Sequence, residues 1–290
     1  MRVAMARPDR GASARPPLKW AGSKRQLADE IVSRLPATIG TYYEPFAGSA
    51  AVFFALAAAG RVRRAVLSDT NPELVATYRA LQRDVEGVLA HLEQHAAAHG
   101  EEHFYEVRAL EPRGLSLTER GARLIYLNRT CFNGLYRVNA SGAFNVPFGR
   151  YKNPRIYDPE RLRAAARLLK GVTLREEDFE RACAAAQPGD AVYLDPPYLP
   201  ISETAYFSSY AREKFGRAEH ERLAAAFRGL TTRRVAAVLS NSDTPETRRL
   251  YTGLEYASVG VTRTIHADAS RRGAVSELLV LARRAARRGR

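Results

Sequence analysis

The residues of this 290-residue chain best suited to chemistry are Asp195, Pro196, Pro197 and Tyr198, which end the short apolar run Ala191-Val-Tyr-Leu194. Neither proline can donate to a sheet ladder, so a strand carrying the run must stop there. The Asp195 carboxylate, the Pro196 carbonyl and the Tyr198 ring then lie just past the carboxyl end of a buried parallel strand, where open α/β sheets bind ligands. A carboxylate only accepts hydrogen bonds, and a carbonyl on a proline-stiffened backbone is a second fixed acceptor. Two acceptors aimed at one amine on an aromatic ring draw its lone pair out of conjugation, which makes the amine a nucleophile. Tyr198 offers a face on which that ring can stack, as aromatic side chains do with extruded bases. The plainer alternative is a Pro-Pro turn with a solvated Asp.

Other segments take the reading further. Asp195-Pro-Pro-Tyr198 resembles the catalytic motif of amino-group methyltransferases acting on DNA adenine. Leu18-Lys-Trp-Ala-Gly-Ser-Lys24, Glu44-Pro-Phe-Ala-Gly-Ser-Ala50, Ser68-Asp-Thr-Asn71, the stretch 126–137 and the stretch 142–151 are similar to the Dam-type DNA adenine N6-methyltransferase family, alpha group, in its order. The resemblance runs from about residue 17 to about residue 282. It implies an α/β fold: a Rossmann-like S-adenosylmethionine-dependent methyltransferase core with an inserted helical and β-hairpin target-recognition subdomain. In that scheme 1–17 is a flexible basic extension, 18–74 and 166–283 form the catalytic domain, 75–165 the insert and 284–290 a basic tail. The resemblance makes Asp195, Pro196, Pro197 and Tyr198 catalytic. It assigns S-adenosylmethionine, and S-adenosylhomocysteine as product, to Trp20, Lys24, Glu44, Phe46, Gly48, Asp69 and Asp195, with no metal.

The elements that must position these groups are legible in outline. A helix is expected over 26–35, a first core strand from Thr41, and an apolar helix over 51–59. Gly48 and its small neighbours let backbone approach a ligand closely between that strand and that helix. Arg64–Asp69 reads as a second strand ending in an acid, 21 residues after Gly48. That approximates the spacing at which an acid meets a ribose hydroxyl in nucleotide-binding βαβ units; an Asp capping the helix opened by Pro72 is the alternative. The three-glycine dinucleotide fingerprint is missing, which disfavours a nicotinamide oxidoreductase. Gly22-Ser23-Lys24 lacks the earlier glycine of a phosphate-binding loop, which disfavours a nucleotide triphosphatase. The helix from Pro72 is expected to pass residue 90, with His91, His95, His99 and His103 along one solvated face. Ser116-Leu-Thr-Glu119 is a capping box opening a helix through Leu127, and Asp158-Pro159 opens another that stops at Lys170-Gly171. Residues 200–217 read as a polar-aromatic loop with Phe207, Tyr210 and Phe215, followed by a helix over 218–228, a strand over 234–240, a helix from Thr244-Pro245 and a closing strand over 275–281.

The block 128–151 reads as short strands around a turn at 139–142, a ribbon able to enter a DNA groove. Arg137 can bond a guanine edge bidentately. Phe132 and Leu135 are candidates to wedge into the base stack and Asn133 to contact a base. Asn145, Pro147 and Tyr151 shape the hairpin or touch backbone, and Arg129, Asn139 and Pro147 complete the DNA-contacting set. A small structural β insertion is the alternative.

Bulk composition is compatible with such a partner. Lys plus Arg is 45 against 31 Asp plus Glu, a net charge of +14, and the pI near 10 fits a polyanion. Two cysteines, Cys131 and Cys183, without metal-like spacing argue against a disulfide framework or zinc site and fit a reducing compartment. No run approaches the roughly 20 apolar residues of a membrane span, and 1–17 lacks the apolar core of a signal peptide. The expectation is a monomeric, cytoplasmic, nucleoid-associated enzyme: a site-specific, base-flipping adenine methyltransferase on double-stranded DNA, with GATC as site and a cognate restriction endonuclease as candidate partner. An RNA or protein-amide methyltransferase and a noncatalytic DNA-binding regulator are the alternatives.

Overall fold

The computed structural model describes residues 15–199, 215–262 and 274–282. Much of the basic extension, the basic tail, and Phe207 and Tyr210 of the expected loop lie outside the described residues. The chain divides into two compact units, one made of the chain up to Ser23 with Glu73–Lys170, the other of Lys24–Pro72 with the chain from Gly171 onward. Residues 18–23 thus group with 73–170, where the expected division was 18–74 with 166–283 and 75–165.

The second unit is built on one seven-stranded sheet, β1 (Tyr42–Glu44), β2 (Ala65–Asp69), β3 (Thr173–Glu176), β4 (Ala191–Leu194), β5 (Ala236–Ser242), β6 (Glu255–Thr262) and β7 (Ala274–Ala282), in the order β3-β2-β1-β4-β5-β7-β6. The first five run parallel; β7 is antiparallel to both its neighbours. Strand order reverses between β1 and β4, the kind of place where an open α/β sheet leaves a crevice at its carboxyl edge. The alternation of the strands makes two packed faces. Tyr43, Val66, Val192, Leu194, Ala237, Leu239 and Val280 pack with Phe179, Ala182 and Cys183 of α8 (Phe179–Ala185) and with Leu223, Phe227 and Leu230 of α9 (Arg217–Thr232). The opposite face meets α2 (Ala51–Ala58). Each fully buried Val, Leu or Phe contributes about 1.5–3 kcal/mol to this core.

Several boundaries differ from the sequence expectation. β5 ends at Ser242, not 240, so Asn241 and Ser242 are also strand residues, paired with Leu278 and Glu277 of β7. β6 was not anticipated; its Glu255, Tyr256 and Ser258 give it no continuous apolar run, and it is held by pairing with β7. α1 (Ala28–Arg34) and α10 (Pro245–Leu250, capped by Thr244) fall where expected.

The first unit is helical: α3 (Pro72–Arg83), α4 (Val85–Ala97), α5 (Glu101–Ala109), α6 (Leu117–Thr130) and α7 (Pro159–Leu169). The single helix expected from Pro72 past 90 is broken at Asp84, whose side chain accepts from Gly87 N at 2.8 Å and caps a fresh start. The Ser116–Glu119 capping box is complete in both directions. The histidines are not a solvated face. His95 Nδ1 lies 3.1 Å from His103 Nε2, His99 Nδ1 lies 3.0 Å from Tyr126 Oη, and His95 stacks on the Tyr126 ring. The reason is the break after Ala97: α5 turns back, and the stripe closes on α6 instead of continuing into water. Both cysteines are free and buried.

Candidate active site

Asp195 follows β4 directly, at the reversal of strand order. Its Oδ1 receives two donors, Lys24 Nζ at 2.9 Å and Ser240 Oγ at 2.9 Å. Ser240 is fully buried and also bonds Tyr193 Oη at 2.8 Å, so two hydroxyls in series, Ser240 of β5 and Tyr193 of β4, stand behind the carboxylate. A carboxylate offers about four lone-pair sites, and with both bonds on Oδ1 its geometry is set while acceptor capacity remains. Lys24 is 7 % exposed and its ammonium also lies 4.6 Å from the centre of the Tyr198 ring. Pro196 is buried, Pro197 exposed and Tyr198 half-buried. Tyr198 Oη donates to Glu277 Oε2 at 2.6 Å. Burial first, and then the charge of Asp195, push its pKa well above the ordinary phenol value, so it remains a neutral donor.

The end of β1 lies beside this turn in the sheet. Ala50, which precedes α2, has φ 53° and no capping side chain. Glu44 supplies the missing acceptor: its Oε2 takes the amide of Phe53 at 3.0 Å and the Tyr42 hydroxyl at 2.8 Å. Only 2 % exposed, its carboxyl is pushed up to about 8 by burial, against the two hydrogen bonds that lower it. Glu44 thus braces the β1–α2 turn from inside the core.

Gly48 in that turn sits at φ +46°, and its amide donates to Asp69 Oδ2 at 3.1 Å. Asp69 Oδ1 takes Asn71 N at 3.0 Å. The two ends of β1 and β2 are therefore tied by one carboxylate, whose pKa is raised by burial against three backbone hydrogen bonds. Phe46 stacks on Phe179 at 5.4 Å and meets Phe215 edge-on at 5.6 Å. Lys24, Glu44, Phe46, Gly48, Asp69 and Asp195 thus share one unit. Trp20 belongs to the other, where it stacks on Tyr136 at 5.2 Å.

In the helical unit the block 128–151 is pinned by Asn128, 1 % exposed, which accepts from Lys19 N at 2.8 Å and donates to Lys19 O and Gly134 O. Asn133 and Gly134 are both left-handed, φ 55° and +63°. A side chain at Gly134 would be strained at that φ, would stand 3.1 Å from the Asn128 carbonyl and would displace the Lys19 side chain, so glycine is favoured there. The turn leaves Phe132 51 % and Leu135 36 % exposed. Asn139 Oδ1 takes Ser141 Oγ and Ala143 N and closes the hairpin turn, whose ribbon consists of the single bridges 138–144 and 131–148. Arg137 is exposed, with Nε on Asn145 Oδ1 at 2.7 Å and Nη2 on Asn145 O at 3.1 Å. Arg129 donates to Pro17 O, and Pro147 O takes the amide of Phe132.

The family of such a chain is decided by comparison with known proteins. The model of the D12 class N6 adenine-specific DNA methyltransferases matches residues 20–265. The chain belongs to that family. Among the relatives of this methyltransferase are a type II methyltransferase of Lactococcus lactis subsp. cremoris, 39 % identical over 92 % of this chain and 94 % of its own, and one of Methanocaldococcus jannaschii, 36 % identical over 92 % and 98 %. The DNA adenine methylase of Escherichia coli K12 is 36 % identical over 91 % and 94 %. The sheet is accordingly the Rossmann-like core of an adenine-specific DNA methyltransferase. Among the described residues of the enzyme, no helix is long and apolar enough to cross a membrane.

Sequence reasoning missed Ser240, Tyr193, Asn241 and Glu277, all of which bond the Asp195–Leu199 turn or a residue that does. Glu277 left one signal: an acid alone among Leu278, Leu279, Val280 and Leu281 of an apolar strand needs a buried donor.

Proposed function

We propose that this methyltransferase moves the methyl group of S-adenosylmethionine to N6 of an adenine rotated out of double-stranded DNA. The observation that carries the reading is the Asp195 carboxylate, held on one oxygen by Lys24 and Ser240 beside the Tyr198 ring. In the proposed reaction the adenine stacks on Tyr198, and its N6 amine donates to Asp195 and to the Pro196 carbonyl. Those bonds, with stacking, offset an unpairing cost of roughly a few kcal/mol. S-adenosylmethionine supplies a methyl on a sulfonium: as the amine lone pair forms the N–C bond, the C–S bond breaks with its pair onto sulfur, and the amine then loses one proton to solvent.

The residues suit a nucleoside-bearing donor. Asp69 is a fixed carboxylate at the end of β2 able to accept from ribose hydroxyls, Gly48 lets backbone approach, and Phe46 offers an aromatic surface. Lys24 orients Asp195. Most of the acceleration comes from positioning and preorganised charge.

For target choice, Arg137, pre-set by Asn145, reads a guanine edge. Phe132 and Leu135 fill the gap left by the adenine, Asn133 contacts a base, and Arg129, Asn139 and Pro147 support the ribbon or meet the backbone. GATC is the proposed site, from the likeness of this block to Dam-type enzymes. A restriction endonuclease partner is favoured by the naming of the Lactococcus relative as a type II methyltransferase.

Replacing the acceptor separates catalysis from binding. Asp195→Ala should lower methyl transfer by roughly 100- to 1000-fold, the scale of one preorganised electrostatic contact, with DNA affinity largely kept in a filter-binding titration. Lost DNA binding with turnover intact contradicts the assignment.

A further inference from the structure

The catalytic turn is held by two groups that its own motif does not supply. Tyr198 Oη donates to Glu277 Oε2 at 2.6 Å, and the amide of the next residue, Leu199, donates to Asn241 Oδ1 at 3.1 Å. Asn241 is on β5 and fully buried; Glu277 is on β7, opposite Ser242 and 7 % exposed. An acid in that apolar strand is costly unless a donor meets it, and the donor here is the tyrosine of Asp195-Pro-Pro-Tyr198.

Stacking uses the face of the Tyr198 ring and makes no use of its hydroxyl. A phenylalanine would present the same face. The hydroxyl lies on the Cβ–Cγ axis, so a bond to it leaves rotation about that axis free but fixes the swing of the whole ring about Cα–Cβ. The Lys24 ammonium, 4.6 Å from the ring centre, lies over one face and opposes the remaining rotation.

We propose that Glu277 is a positioning residue for methyl transfer: by holding the Tyr198 hydroxyl it fixes the tilt of the ring on which the target base stacks, and so the approach of the N6 amine to Asp195. This rests on the reading of Tyr198 as the stacking face. The effect belongs to the chemical step, because a tilted ring still offers its area to the base while the amine moves out of line. Misplacing reacting atoms by about 1 Å costs on the order of 100-fold in rate.

The test compares single-turnover methyl-transfer rates, with separate dissociation constants for S-adenosylmethionine and duplex DNA, in the full chain and four variants: Glu277→Leu, Glu277→Gln, Tyr198→Phe and Tyr198→Phe/Glu277→Leu. Glu277→Leu and Tyr198→Phe should each slow transfer about 10- to 100-fold with both dissociation constants nearly unchanged. The double variant should be no slower than the worse single, and Glu277→Gln, which can still accept from the hydroxyl, should recover most of the rate. Glu277→Leu at the parent rate, a double loss equal to the product of the single losses, or a loss confined to binding would overturn the proposal. If Glu277→Leu does not fold, the same comparison between Glu277→Gln and Tyr198→Phe decides: equal, large losses in both contradict a role exercised through acceptance from the hydroxyl. Asp195→Ala distinguishes the two levels. If it is inactive while Glu277→Leu is unimpaired, the clamp alone fails; if it is active, the reading of the whole site fails.

Discussion

Asp195 is held by a cation from the segment before α1 and a hydroxyl from β5, and neither is in its motif. The same holds for Glu44, which reads in sequence as part of a ligand-facing turn but spends its carboxyl on Tyr42 and on the amide of Phe53. Glu44 carries a prediction of its own. Its pKa rises from 4.5 unfolded to about 8 folded, chiefly through burial, so between those values the folded state binds more protons than the unfolded one. The stabilisation is complete below about pH 4.5 and is lost as pH rises through 8. Denaturant unfolding should show this group costing roughly 2–4 kcal/mol between pH 5 and pH 8, and Glu44→Gln, which accepts the same two bonds without ionising, should remove that loss. An identical pH slope in the variant contradicts a raised Glu44. At the recognition block, Arg137→Ala should weaken discrimination at one base pair by roughly 1–3 kcal/mol. An unchanged site preference in mapped methylation would remove Arg137 from that role.

At the scale of elements, the histidine stripe shows how a helix break changes chemistry. His95 faces His91 and His103, with Tyr126 against its ring, His99 on the Tyr126 hydroxyl and Glu106 near His103. Burial first, then His103 and His91, lower its pKa from 6.5 to about 4. A histidine lowered in this way favours folding above pH 6.5, and its contribution is lost as pH falls toward 4. Hydrogen exchange at pH 7 and pH 5 should show α4 and α5 loosening by on the order of 2 kcal/mol on acidification; His95→Gln should flatten the difference. Equal protection at both pH values in the parent chain contradicts the account. Periodicity could not foresee this cluster, because residues 91–103 keep four-residue spacing across two helices, and the break at Ala98–Gly100 turns a linear stripe into a folded one. What local chemistry does specify was readable: the Ser116–Glu119 box, Asp158-Pro159, Thr244-Pro245 and the stop of β4 at Pro196 all lie where their residues place them. β6 was not readable, since its partner supplies what its own sequence lacks. The same reason hid Ser240, Asn241 and Glu277, whose work depends on strands brought together from 42 or more residues away.

On the scale of the whole molecule, the candidate residues fall in two units: one built on the sheet, with Lys24, Glu44, Asp69, Asp195 and Glu277, and a helical one between β2 and β3, with Phe132, Leu135 and Arg137. In the proposed reading the net charge of +14 would give a polyanion a general, salt-sensitive hold, with selection assigned to base contacts and reaction to the Asp195 turn. The most direct test of the account is methyl transfer from labelled S-adenosylmethionine to unmethylated genomic DNA, with modified positions mapped by single-molecule sequencing. The account predicts N6-methyladenine confined to one short motif, with GATC as the proposed sequence. Binding of S-adenosylmethionine with no methyl group on any DNA adenine would contradict it.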